Sequence, residues 1–283
     1  MTLAATLRAS LAAGMPAVLV RLAEAKGSTP REAGTVMAVT ADAIYGTIGG
    51  GQFEWLAIDH ARRLIADRPG DTRLDIPLGA DIGQCCGGRV ALAFEPVTAD
   101  TIAALEAEEA TEKAARPDVH IFGAGHVGRA LAAAFLPLPV NVAVHDTRQT
   151  ELDRLPEGAE AVLSAMPEAA VATARPGSAF VITTHDHALD FMIAAEALKR
   201  DDAAYVGLIG SKTKRAKFKA WLAALGGNTG ALSRLVCPIG AGAVADKRPE
   251  VIAAMTVAEI LTALTDHRTA QGERHARPAT ATP

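Results

Sequence analysis

The chain has 283 residues, of which 49% are hydrophobic and 21% charged, with a formal net charge of −4. That length and apolar content suit two globular domains with cores of their own, while the mild acidity denies a nucleic acid the basic surface its phosphates require. Three cysteines, two of them adjacent, do not make a secreted disulfide framework and point to a reducing, cytoplasmic compartment. The N-terminal stretch carries Arg8 inside its apolar pattern and is broken by Gly14 and Pro16, unlike a signal peptide. No apolar run reaches the ~18 residues of a membrane span.

In chain order, the pattern predicts a helix over Leu3 to Ala13, a strand in PAVLVRLAEA, a turn at KGSTPREAG and short strands around TVMAV and AIYGTI. A glycine triplet then opens GGGQFEWLAIDHARRLIA, whose Phe53, Leu56, Ala57, Leu64 and Ile65 recur near helical spacing. The strands DTRLDIPL and RVALAFEPV bracket the cysteine loop, which completes an α+β domain over residues 1–98. Residues 99–116 are rich in Ala and Glu and stop at Pro117, as a connecting helix does. From 117 to 270 strands and helices alternate: DVHIF and HVGRALAAAF, PVNVAVHD, EAVLS, SAFVITT and ALDFMIAAEALKR, YVGLIG and KTKRAKFKAWLAAL, LVCPIG and PEVIAAMTVAEILTAL. This alternation predicts a Rossmann-like, doubly wound parallel sheet, an α/β fold. Residues 271–283 are polar and unpatterned and read as a disordered tail.

HIFGAGHVGRAL carries the strongest motif. Gly123, Gly125 and Gly128 have GxGxxG spacing between a predicted strand and helix, His126 opens that helix, and Asp146 ends the next strand with Arg148 two residues on. The first glycine serves the tight turn, the second lets a phosphate approach, the third lets helix and strand pack, and Asp146 is placed to accept from a ribose hydroxyl. A glycine turn kept for packing alone has the same spacing, and fold does not imply function. TTHDHALD follows a strand, placing His185 and His187 at the carboxyl edge of the sheet. No third ligand at convincing spacing joins them, so a helix cap near Asp186 is preferred to a metal site. LIGSKTKRAKF sets Ser211 as a helix cap with Lys212, Lys214 and Arg215 in the first turn, against the helix dipole, which hints at an anionic partner or else a solvated basic face. Gly49, Gly50 and Gly51 lead into a helix and offer an anion nest, or an ordinary turn. DIGQCCGGRV sets Cys85 and Cys86 before Gly87 and Gly88. A disulfide between neighbours is disfavoured, because adjacent Cα atoms sit ~3.8 Å apart where a disulfide wants about 4.4–6.8 Å. These thiols are small buried hydrophobes, nucleophiles or soft ligands.

GSTPREAGTVMAV, TIGGG, QCCGGRVAL, HIFGAGHVGRAL, VHDTR, TTHDHALD, YVGLIGSKTKRAKF and CPIGAGAVADKRPEVIAAMTVAEIL, in this order, resemble the XdhC/CoxI family of molybdenum-cofactor chaperones, most closely its XdhC branch. The resemblance implies a cytoplasmic homodimer, not an enzyme and with no catalytic residues of its own. Such a protein binds the molybdenum cofactor transiently, protects it while its terminal sulfido ligand is installed, and helps insert it into apo xanthine dehydrogenase. A cysteine desulfurase and cofactor-synthesis proteins are further expected partners. The Cys85–Cys86 pair fits that branch, whereas Lys247, Arg248, Pro249 and Glu250 replace the family's frequent Thr-Pro-x-Glu helix start. On this reading a glycine nest holds the cofactor's phosphate, and Cys85 and Cys86, near the molybdenum, face a cleft between the domains with GAGHVG as its second wall. Two alternatives stand beside it: an NAD(P)-dependent oxidoreductase with His185 or His187 as acid/base, and a sulfur carrier with a persulfide on Cys86.

Overall fold

The computed structural model describes residues 2–68, 70–79, 87–242, 244 and 246–276, the last five without side chains. The chain divides into two compact units, Met1–Ala114 and Ala115–Pro283.

The first unit is built on a five-stranded antiparallel sheet of β1 (Ala17–Lys26), β2 (Val36–Thr40), β3 (Ile44–Gly46), β4 (Arg73–Pro77) and β5 (Arg89–Pro96), in the order β3-β2-β1-β5-β4. Side chains alternate along a strand, and β1 uses both faces. Val18, Val20 and Leu22 pack with Phe53, Ala57 and Ala61 of helix α2 (Gly51–Ile65). Ala17 and Leu19 turn to Ala4 and Leu7 of α1 (Leu3–Ala12) and to Ile102 and Leu105 of α3 (Ala99–Ala115). The stretch expected to be a connecting helix is therefore a packed part of the first unit: its two buried apolar side chains need the sheet face. The strand pairing continues past β4 and β5, since Leu78 N–H donates to Gly88 O and Gly87 N–H to Leu78 O, each at 2.8 Å.

The second unit contains the expected parallel sheet. Six strands, β6 (Asp118–Phe122), β7 (Asn141–Asp146), β8 (Glu160–Leu163), β9 (Ala179–Ile182), β10 (Tyr205–Leu208) and β11 (Leu235–Val236), lie in the order β11-β10-β9-β6-β7-β8. Read from the other edge this is the 3-2-1-4-5-6 order of a dinucleotide-binding sheet, whose order reverses between β6 and β9. One face packs on α4 (His126–Phe135) and α9 (Pro249–Ala276) through Leu131, Phe135, Ala253 and Ile260. The other packs on α6 (Ala169–Thr173), α7 (His187–Lys199) and α8 (Lys212–Ala224) through Val171, Ile193, Leu198 and Phe218. A short α5 (Gln149–Leu152) follows β7. Helix α9 continues to Ala276, five residues beyond 271, so the polar stretch taken for the start of a tail extends this helix.

Candidate functional site

Loops at the carboxyl ends of β6, β7, β9 and β10 gather most of the expected site residues of the second unit. The three glycines of GAGHVG have distinct roles. Gly123 has φ +108°, and a Cβ there would lie 2.5 Å from Thr183 O; a Cβ at Gly128 would lie 1.8 Å from Gly123 O. Both are required by close backbone approach. A Cβ at Gly125 would meet nothing within 4 Å, and no side chain caps α4, so this is the open side of the turn.

Asp146 lies at the expected place at the end of β7 but is not free to receive a ribose. It is 4% exposed. Its Oδ2 accepts Ala124 N–H at 2.7 Å, and Arg148 closes on the carboxylate through its backbone N–H, Nε and Nη2 at 2.9–3.0 Å. Burial works against the charge, but Arg148 and the Ala124 N–H outweigh it and hold the carboxyl below its usual range. The recess beside this pair, lined by Gly123, Thr184 and His185, has a volume of about 10 Å³. That is room for one water molecule. The acceptor that a dinucleotide's ribose would use is thus engaged by the chain's own ion pair.

The half beyond β9 and β10 is open. Asp186 caps α7, its Oδ1 accepting from Ala188 N–H at 2.7 Å, and Ser211 caps α8, accepting from Lys214 N–H at 3.3 Å. Fully buried Asp190 joins the two loops: its Oδ1 accepts the N–H and hydroxyl of Thr184 at 3.1 and 2.7 Å, and its Oδ2 bonds Lys214 Nζ. Gly210 permits this bond, because a Cβ there would lie 2.5 Å from Lys214 Cδ. Thr184, His187, Ser211, Lys214 and Lys217 line a cavity of about 490 Å³ with Phe191 and Ile209 as its apolar wall. His185 and His187 are exposed, His185 on the small recess and His187 on the large cavity. Lys212 is exposed at the first position of α8, outside that lining. His126 faces a separate groove of about 660 Å³ along α4 with Arg129, Arg154 and Glu250. Among the described residues no group of three His, Cys, Asp or Glu side chains is placed to hold a metal.

In the first unit the Gly49–Gly51 nest exists, and its occupant is internal. Glu54 Oε2, from the first turn of α2, accepts the N–H groups of Ile48, Gly49 and Gly50 at 2.8–3.2 Å and the Thr47 hydroxyl at 2.5 Å. Burial opposes this charge, yet the Thr47 and backbone donors prevail and keep the carboxyl below its ordinary range. The nest expected to hold a ligand phosphate is filled by a carboxylate of the chain. Gly88 is a packing residue, since a Cβ there would lie 2.2 Å from Ser28 O, whereas Gly87 has φ +67° with open space around it. Cys85 and Cys86 lie outside the described residues.

Sequence reasoning missed Glu54 in the nest, the Asp190–Lys214 pair, Lys217, and a buried pair of imidazoles. His120 Nδ1 and His145 Nε2 are 3.1 Å apart, and the outer nitrogens have no partner. Lys214 falls four residues after Gly210 in the motif, and Glu54 four after Gly50, so one helical turn was the available signal. The histidines alternate with core residues on neighbouring strands and gave none.

Residues 119–260 match the family model described as XdhC Rossmann domain, and residues 10–75 that described as XdhC and CoxI family. The chain belongs to the XdhC and CoxI family. Among curated proteins this XdhC-family chain is 28% identical over 255 residues to the uncharacterized protein YqeB of Escherichia coli K12, covering 87% of the chain and 43% of YqeB. It therefore spans less than half the length of that relative. Among solved structures it shares its fold with a protein described as a xanthine dehydrogenase from Bacillus halodurans: TM-score 0.72, 18% identity, 99% of this chain and 98% of that one. Among the described residues no helix is long and apolar enough to cross a membrane.

Proposed function

We propose that this XdhC-family chain is an accessory protein of xanthine dehydrogenase maturation. In this reading it acts in the cytoplasm as a homodimer. It takes the molybdenum cofactor as cargo, protects it while a cysteine desulfurase and the cofactor-synthesis proteins complete it, and delivers it to the apo-enzyme without turning it over. The observation that carries the reading is the match of both XdhC family descriptions, one to each unit.

The geometry of the second unit fits such cargo better than it fits NAD(P). A dinucleotide needs the acceptor after the second strand of the sheet. Here that acceptor, Asp146, is engaged by Arg148 and Ala124 beside a recess of about 10 Å³. The large cavity at β9 and β10 offers lysines, hydroxyls and an apolar wall to an anionic, ring-bearing molecule. Lys217 and Ser211 would hold the anionic part, and Phe191 and Ile209 the ring. Bound there, the cofactor would supply the molybdenum–sulfur chemistry of its client, while this chain's residues orient it and keep water away. Metal and pterin analysis of the protein purified from a cofactor-producing host tests this. About one molybdenum and one pterin per chain are expected, since each motif occurs once. Protein without either, together with no saturable binding of isolated cofactor under anaerobic titration, removes the assignment.

A further inference from the structure

Three places in the described chain present converging donors to an anion, and at two of them the chain's own carboxylates have taken the position. Glu54 fills the nest of the first unit. Asp146 accepts the Ala124 N–H at the glycine-rich turn, closed over by Arg148. The third place is the cavity of about 490 Å³ at the ends of β9 and β10, and its charges are arranged differently. Lys214 and Lys217 line it, and no carboxylate does. Asp190 lies fully buried behind the wall, bonded to Lys214 and Thr184.

Helix α8, KTKRAKFKAWLAA, holds five cations and no acid in its 13 residues, with three of the cations in its first turn. Cations there oppose the helix dipole. Two of the three are engaged: Lys214 by Asp190, and Arg215 by the carbonyls of Leu232 and Leu235. Lys217 follows Lys214 by three residues and shares its face of the helix. Among the described residues it has no carboxylate partner within ion-pair distance. Ser211 Oγ accepts the Lys214 N–H and keeps its own O–H free to donate. Phe191 lines the same cavity, held by Phe218 and Trp221 with ring centroids 5.2 and 5.6 Å away. The larger groove along α4 lacks this imbalance, because Arg129 and Arg154 both pair with Glu151.

We propose that this cavity receives the phosphate-bearing end of the cargo: a phosphate monoester on Lys217 Nζ and the hydroxyls of Ser211 and Thr213, with the attached ring against Phe191 and Ile209. The placement rests on the cofactor-binding reading above, and it assigns the phosphate to the second unit's β9–β10 loops rather than to either glycine motif.

The test uses the full-length, isotope-labelled chain and inorganic phosphate as probe. Saturable shifts of the Ser211–Phe218 amides and of the Trp221 indole are expected, and Lys217→Met, a change at an exposed side chain, should abolish them while Arg148→Ala leaves them intact. In a second arm, anaerobic titration with isolated molybdenum cofactor should show Lys217→Met binding about tenfold more weakly than the parent, the loss of one charge-assisted contact. Absence of phosphate shifts in α8, or shifts that persist in Lys217→Met, overturns the site. Cofactor binding with equal affinity in parent and Lys217→Met overturns it too, and leaves the chaperone reading standing. Phosphate binding lost in Lys217→Met, with no cofactor binding by the parent, upholds the anion site and sinks the cofactor reading.

Discussion

Replacing Lys214 with Met should orphan one of the most deeply buried charges in the second unit. The Asp190 side chain is 0% exposed and that of Lys214 12%. Without Lys214 the carboxylate keeps the N–H and hydroxyl of Thr184, at 3.1 and 2.7 Å, and the exposed His187 ring at 3.9 Å. Leaving a buried charge without its partner costs about 3–5 kcal/mol. Adding Asp190→Asn to Lys214→Met removes the charge while an amide oxygen still serves Thr184. Its buried N–H groups, left unpaired, then cost about 1–3 kcal/mol. The double variant should therefore be about 2 kcal/mol more stable than Lys214→Met alone. The two tryptophans make the assay clean, because Trp55 lies in α2 of the first unit and Trp221 in α8. In a Trp55→Phe background, urea unfolding followed by Trp221 fluorescence reports the second unit alone. A Lys214→Met loss below ~1 kcal/mol, the scale of an exposed pair, or a double variant no more stable than that single one, would refute the buried-pair argument.

Two further predictions concern the histidine pair and the filled nest. His145 is 4% exposed, stacked on Phe122, and burial followed by the neighbouring His120 pushes its pKa from 6.5 down to about 4. The unfolded chain therefore binds the proton first: stability is complete above pH ~6.5 and is lost as the pH falls through about 4, by about 3 kcal/mol in all. His145→Phe should make the acid loss of stability of the second unit shallower across that window, the buried His120, whose pKa is likewise lowered, still contributing, and an unchanged acid slope in the variant would contradict the assignment. Glu54→Ala strands the N–H groups of Ile48 and Gly50, while Gly49 N–H keeps the Thr47 hydroxyl oxygen at 3.1 Å, and should cost the first unit about 1–3 kcal/mol, read by Trp55 in a Trp221→Phe background. Sulfate should stabilise Glu54→Ala more than the parent, because it can enter the vacated nest, and equal stabilisation of both would show that the nest does not select anions.

The order of the elements was legible because strand and helix periods follow one another distinctly along each half. Strands such as SAFVITT are short, apolar runs between helices, and a parallel sheet covered on both faces follows from that. The first unit was legible through β1, whose alternate residues feed two cores, but not through α3: Ile102 and Leu105 are two apolar contacts in an Ala/Glu-rich helix, too few to announce which unit it joins. Asp190 and Lys214 were visible as letters, yet their pairing spans 24 residues and depends on the register of β9 against β10, which no local pattern encodes.

The glycine motifs show where sequence reading meets a physical limit. A run of glycines ahead of a helix states that backbone N–H groups converge; it does not state who supplies the anion. At Gly49–Gly51 the supplier is Glu54, one turn into α2, and at Gly123–Gly125 it is Asp146 from the next strand. In both places the carboxyl is held below its usual range despite burial, so the convergent donors stabilise negative charge as expected. An arriving phosphate would have to displace a covalently tethered carboxylate whose ordering was already achieved on folding. That competition favours the internal group. The β9–β10 cavity has no such tenant: Asp190, the acid that neutralises Lys214, is fully buried behind the wall, and Lys217 is left over. An external anion therefore meets its least competition at the place where the helix is most cationic, and not where the glycines are densest.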